Sequence, residues 1–186
     1  MSYEAALRRV LGVEGVYSND PTDRGGETFC GISRVNWPSW PGWAIIDQQK
    51  QINVKPSLDV QGLREAVSAF YLQQFWTPLC CHLIQDEFVA YELFEAAVNL
   101  GVGKSGMILQ EALNLLNRNG ASWPEVGMDG RVGPATLAVV GKALAEPNGG
   151  RTLVTLLNHL QAEHYITLAR RSPTQERFLR GWLTRT

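Results

Sequence analysis

Apolar residues return at three- and four-residue steps along most of the chain, the period of helices that bury one face. Tyr3, Ala6, Leu7, Val10 and Leu11 open the series, and the step reaches Glu14 before Gly15 breaks it. This predicts a first helix that ends near Gly15. Residues 15–34 lose the period and fill with Gly, Asn, Asp and Pro, the composition of tight turns, with a short hairpin expected about Gly25-Gly26. Residues 37–43, Trp-Pro-Ser-Trp-Pro-Gly-Trp, read as an aromatic and proline loop. Helical patterns resume over 60–75, 87–100, 104–118, 134–145, 151–170 and 174–184. The expected fold class is all-α, with one turn-rich or hairpin segment near residues 15–34. Two portions are expected, 1–86 and 87–186, packed into one compact unit.

Composition narrows the class. A chain of 186 residues that is 45% hydrophobic can bury a sizeable core, and its Gly and Pro follow no period, which excludes collagen-like and disordered readings. The net charge of −1 hides a split. Residues 1–150 carry 11 Lys/Arg against 16 Asp/Glu, whereas residues 151–186 carry 6 against 2. Glu4, Arg8 and Arg9 interrupt what would be the apolar core of a secretory signal, so synthesis in the bacterial cytoplasm without a signal peptide is expected. The most apolar run, Phe88 to Leu100, contains Glu92 and Glu95 and is no membrane span. Cys30, Cys80 and Cys81 offer neither paired disulfide spacing nor a metal cluster, so free thiols and no cofactor or metal are expected.

Carboxylates carry the candidate chemistry. Glu14 lies eleven positions after Tyr3, almost the same helical angle, so the apolar stripe would end in an acid. Desolvation there would raise its pKa, as a general acid requires; a frayed helix end with its carboxylate in water is the plainer alternative. Asp23 follows by nine residues and Thr28 by five more, in a glycine-rich stretch. Glycoside hydrolysis needs two oxygen-bearing groups across the scissile bond, one protonated and one basic, and Glu14 and Asp23 could form that pair. Asp23 could equally be a turn residue.

The string Glu14-Gly-Val-Tyr17-Ser-Asn19-Asp20-Pro21-Thr-Asp23-Arg-Gly25-Gly26-Glu27-Thr28-Phe-Cys-Gly31-Ile32-Ser33 resembles the signature of glycoside hydrolase family 108. These are N-acetylmuramidases of phage and prophage endolysins and of some toxin-export loci. Val16 and Phe29-Cys30 depart from the common pattern. Leu93 to Gly103, Met128 to Thr136 and Phe178 to Arg185 look like the family's C-terminal half, described as a predicted peptidoglycan-binding domain. The resemblance implies a lysozyme-like fold and Glu14 as catalytic acid. By analogy with phage T4-type lysozymes, Asp23 and Thr28 would position water; Tyr17 and Asn19 of the motif are candidate substrate contacts. The implied partner is bacterial peptidoglycan, cut at the β-1,4 bond between N-acetylmuramic acid and N-acetylglucosamine in the periplasm or wall. A holin-like pore would provide export, and a monomer is expected. A lytic transglycosylase and a non-catalytic wall-binding module are the rival readings.

Other residues carry two readings each. Trp37 and Trp43 could stack on sugar faces, or pin a stiff loop to the core. Glu95 and Asn99 form a polar stripe on an otherwise apolar helix, so they line a sugar groove or join an internal network. His164 falls in the stripe of Leu153, Leu157 and Leu160 and reads as a core histidine. Arg170, Arg171, Arg177 and Arg180, interleaved with aromatics, could meet an anionic envelope or form a solvated face. Nucleic acid is not an expected partner, because the domain as a whole is not basic.

Overall fold

The computed structural model describes residues 2–12, 16–19 and 26–186, apart from the Arg185 side chain. Glu14 and Asp23 lie outside the described residues. The fold is mainly helical with a three-stranded sheet, and the chain divides into two compact units, residues 2–74 and 75–186.

In the first unit, α1 (Tyr3–Leu11) is capped by the Ser2 side chain, which accepts from the Ala5 N–H at 3.3 Å. Ala6, Leu7 and Val10 form its buried face, and the Tyr3 hydroxyl donates to the Ser68 carbonyl on α3 (Leu63–Tyr71) at 2.6 Å. The helix stops at Leu11, short of the expected end near Gly15. Gly12, the poorest helix former after proline, caps it.

Strands β1 (Tyr17–Ser18), β2 (Thr28–Phe29) and β3 (Ile32–Ser33) pair antiparallel in that order, with Tyr17 opposite Phe29 and Phe29 opposite Ile32. The hairpin expected about Gly25-Gly26 falls partly outside the described residues; Gly26, at φ +61°, leads toward β2. A second, tighter hairpin joins β2 to β3 through Cys30 and Gly31, at φ +47° and +77°. Two successive positive φ values suit the right-handed twist of a two-residue hairpin. The Tyr71 hydroxyl pins this turn by donating to the Cys30 carbonyl at 2.8 Å.

Helix α2 (Gly42–Gln51) was not expected. It begins inside the Trp/Pro segment, directly after Pro41, and buries Trp43 and Ile46 on the face turned to α3. The same segment is tied inward: Trp40 Nε1 donates to the Ala66 carbonyl and Trp43 Nε1 to the Trp37 carbonyl. A π-helical turn, Leu72–Trp76, follows α3.

The second unit is built from α4 (Glu87–Leu100), α5 (Val102–Leu116), α6 (Pro134–Ala145), α7 (Gly149–Arg171) and α8 (Glu176–Trp182). Asp86 caps α4 by accepting from the Phe88 and Val89 N–H groups, and Gly101 at φ +86° ends it. α4, α5 and α7 pack mutually, and Ser105 on α5 donates to the Leu93 carbonyl on α4 at 2.7 Å. The Met128–Thr136 motif is structural. Gln110 holds its turn by donating to Asp129 and the Arg131 carbonyl and accepting from the Gly130 N–H, while Pro134 starts α6. A Cβ at Gly106 would collide with the Gly130 carbonyl, so backbone meets backbone there.

Candidate active site

The described part of the motif centres on a carboxylate that the sequence reading did not single out. Glu27 stands between Gly26, at φ +61°, and Thr28 on β2, and its side chain is only 9% exposed. The Tyr17 hydroxyl from β1 donates to Oε1 at 2.9 Å, and Lys50 from α2 pairs with the same oxygen. Arg34, just past β3, pairs with Oε2 at 3.0 Å and returns its backbone N–H to the Glu27 carbonyl at 2.8 Å. The Arg34 guanidinium also grips Asp47 in a two-point contact, at 2.7 and 3.2 Å, and lies over the Trp43 ring at 4.5 Å. Three strands and α2 thus converge on one ionic knot.

The knot shifts the titration of its members. The Asp47 hydrogen bond raises Arg34, and the reciprocal bond holds the Asp47 carboxyl below its ordinary value. Burial works against the Lys50 charge, but hydrogen bonding and charge from Glu27 outweigh it and raise that pKa. Burial, then the bond to Glu27, raises Tyr17. Tyr17, expected to contact substrate, therefore spends its hydroxyl on Glu27.

Thr28 is half-buried beside this knot, and its hydroxyl donates to the Gly26 carbonyl at 3.2 Å, leaving its lone pairs as acceptors. Asn19 is exposed. Trp37 is 39% exposed and packs edge-on against Phe70. Trp43 differs: at 4% exposure, with Arg34 over its ring and Trp40 edge-on at 5.0 Å, it has no open face for a sugar. Its role is to pin the loop.

Glu95 and Asn99 belong to the second unit and join an internal network. Asn99 Nδ2 donates to Glu95 Oε1 at 2.6 Å, while Gln161 from α7 donates to Oε2 at 3.2 Å and to the Tyr165 hydroxyl at 3.0 Å. The buried face of α7 runs through Leu153, Leu157, Gln161, Tyr165 and Ala169, so His164 is half-buried on its flank. Arg170, Arg171, Arg177 and Arg180 are all exposed. Arg177 lies over Phe178 at 4.6 Å, and the Phe178, Trp182 and Tyr165 rings stack in succession.

Among the described residues no group of His, Cys, Asp and Glu side chains could hold a metal ion, and no helix is long and apolar enough to cross a membrane. A signal for Glu27 existed: an acid directly before Thr28 in the motif, with Arg34 seven residues on. Lys50, which pairs with Glu27, and Asp47, which pairs with Arg34, come from the unexpected α2.

Comparison with known proteins places these features. No curated protein matches the chain. The solved structure of SagA from Brucella abortus superposes with a TM-score of 0.65 at 20% identity, covering 98% of this chain and 88% of that one, a likeness of fold. A family model described as a predicted peptidoglycan domain matches residues 104–186. Another, described as glycosyl hydrolase 108, matches residues 7–101, a span that contains the whole Glu14–Ser33 motif and the Glu27 knot. The chain belongs to the glycosyl hydrolase 108 family and is a peptidoglycan hydrolase.

Proposed function

We propose that the enzyme is an N-acetylmuramidase acting as an endolysin, hydrolysing the β-1,4 bond between N-acetylmuramic acid and N-acetylglucosamine. Glu14 protonates the glycosidic oxygen, while Asp23 and the Thr28 hydroxyl orient water on the opposite face of the sugar. Such an arrangement inverts the anomeric centre, with carboxyl groups about 6.5–9.5 Å apart to admit the water. The observation that carries this reading is the family match across the Glu14–Ser33 motif, and the fixed setting of Thr28 beside Glu27 supports it. Asn19 and Trp37, both exposed, are the sugar contacts in this scheme. The protein works as a monomer on the wall after export through a holin-like pore. Arg170, Arg171, Arg177 and Arg180 contact the anionic envelope.

Mass spectrometry of products from purified sacculi tests the chemistry. Hydrolysis yields reducing muropeptides; a lytic transglycosylase would instead yield 1,6-anhydro products lighter by one water, about 18 Da. General acid catalysis contributes about 10²–10⁴ in rate, so Glu14→Gln should fall by at least that lower factor with an unchanged melting temperature. A folded Gln variant that clears walls at the parental rate removes Glu14 from this role. Asp23→Asn should be less severe, and an unchanged rate would remove it too.

A further inference from the structure

The second unit holds a groove that the glycosidase chemistry does not use. A cavity of about 400 Å³ opens between the end of α5, the α6–α7 turn and the start of α7. Its floor is apolar, with Leu116, Trp123 and Ala143, and its rim carries the Arg118–Glu146 ion pair at 3.2 Å. A second depression of about 330 Å³ shares Leu116 and Thr152 with the first and runs on along α7 past Arg151 and His159. Together they form one groove within the range of volumes that small ligands occupy.

The rim is built at a conformational cost. Arg118 and Asn119 both sit at φ +56°, followed by Gly120 at φ +82°. An arginine rarely adopts the left-handed region, and such strain persists where surrounding structure enforces it, often at binding sites. Asn117, buried at 2% exposure, enforces it here by accepting from the Gly120 N–H at 3.0 Å. The result holds the Arg118 side chain over the cavity mouth, 71% exposed.

We infer that this groove binds the peptide stem of peptidoglycan, a short chain of small apolar residues bearing several carboxylates and a free ammonium. The inference rests on the reading of peptidoglycan as the substrate. Arg118 and Arg151 match the carboxylates, Glu146 matches the ammonium, and the Leu116–Trp123–Ala143 floor takes the alanine methyls. A glycan strand fits less well. Sugars are held by open aromatic faces, whereas Trp123 is 4% exposed and its Nε1 is already spent on the Leu113 carbonyl at 3.0 Å. The groove lies inside the segment matched by the predicted peptidoglycan domain.

Calorimetric titration of the full-length protein with the glycan-free tetrapeptide L-alanyl-γ-D-glutamyl-meso-diaminopimelyl-D-alanine tests this. Saturable binding is expected, weakened at least roughly tenfold by Arg118→Gly, which removes the side chain and suits the positive φ. Thr152→Trp, which plugs the groove from an exposed helix position, should weaken it similarly. Melting curves establish that both variants are folded. No saturable binding by the parent, or equal affinity in both folded variants, overturns the inference. So does loss of chitotetraose binding in the variants while tetrapeptide binding stays intact, which would make the groove a sugar site. Cleavage of peptide-free glycan strands by the parent protein is read separately. Cleavage without tetrapeptide binding sinks the groove alone, and tetrapeptide binding without cleavage sinks the muramidase reading alone.

Discussion

Residues 2–74 and 75–186 each shield a carboxylate, Glu27 in the first and Glu95 in the second, and the described partners of the two differ. Glu27 is gripped by the cations of Lys50 and Arg34 in a region of two-residue strands and turns. Glu95 receives N–H bonds from the amides of Asn99 and Gln161 between long helices. Short strands bring few backbone bonds, so in the first unit charge adds to the buried Phe29 and Ile32 in holding the turn that carries Thr28. Helices with continuous apolar faces already fix α4 against α7, and the amides of Asn99 and Gln161 are among the groups that hold the carboxylate there. Strong ionic fixation thus falls where regular structure is sparse and the proposed chemistry is placed.

The contrast can be broken experimentally. Glu27→Ala leaves both Arg34 and Lys50 to Asp47, which Lys50 meets only at 3.9 Å; it should cost about 2–4 kcal/mol and lower wall cleavage at least tenfold. Urea unfolding and a turbidity assay measure the two effects, and a variant of parental stability and rate would remove the knot from any positioning role. Glu95→Ala should cost about 1–3 kcal/mol, because the amides of Asn99 and Gln161 each lose one acceptor. Salt sharpens the comparison. The Glu27 loss should shrink in 1 M NaCl, where the screening length is about 3 Å. A loss that is the same in low and high salt would remove charge from the account of the knot.

Thiol chemistry gives a smaller readout. Burial pushes the Cys30 thiol up to about 11 and raises Cys81 further, whereas Cys80 is half-buried. Iodoacetamide at pH 8 should label Cys80 first in native protein, by peptide mapping; early labelling of Cys30 would show its hairpin opening. The smallest effect is with acid. His164, ordinarily near 6.5, is lowered by burial and then by the Lys104 charge, so it binds a proton more readily unfolded. Its contribution is complete above about pH 6.5 and declines as pH falls toward the lower folded value. Asp47, lowered from 3.8 by its Arg34 bond, contributes fully above that value and loses its contribution only in stronger acid. Hydrogen exchange resolved by peptide should therefore weaken in 75–186 at pH 5.5, before 2–74 responds at pH 3.5. The reverse order would contradict both assignments.

Helices α4 and α6 were legible to the residue because their ends are written chemically: Asp86 and Gly101 bound one, and Pro134 opens the other. Helix α2 was not. Its buried set is Gly42, Trp43 and Ile46, and the prolines beside Trp43 read as loop. The motif from Glu14 to Ser33 was legible as a family signature, yet its ionic knot was not, since Arg34 and Lys50 reach Glu27 only through the sheet and α2. Gln161 escaped for a different reason. One polar residue among many on a long helix reads as solvent-facing until its buried partner Glu95 is known. The packing boundary at 74/75 also leaves α4 with the second unit, although the glycosyl hydrolase match extends through it to residue 101.

Helix α7 separates two basic groups by its own length. Arg151 stands at its first turn and Arg171 at its last, roughly 30 Å apart at 1.5 Å per residue. That is several times the screening length of about 8 Å in physiological salt, so neither group feels the other's charge. The two ends are electrostatically independent ports on one rod: reversing Arg171, Arg177 and Arg180 should change envelope retention and leave the Arg118–Arg151 groove at its own potential.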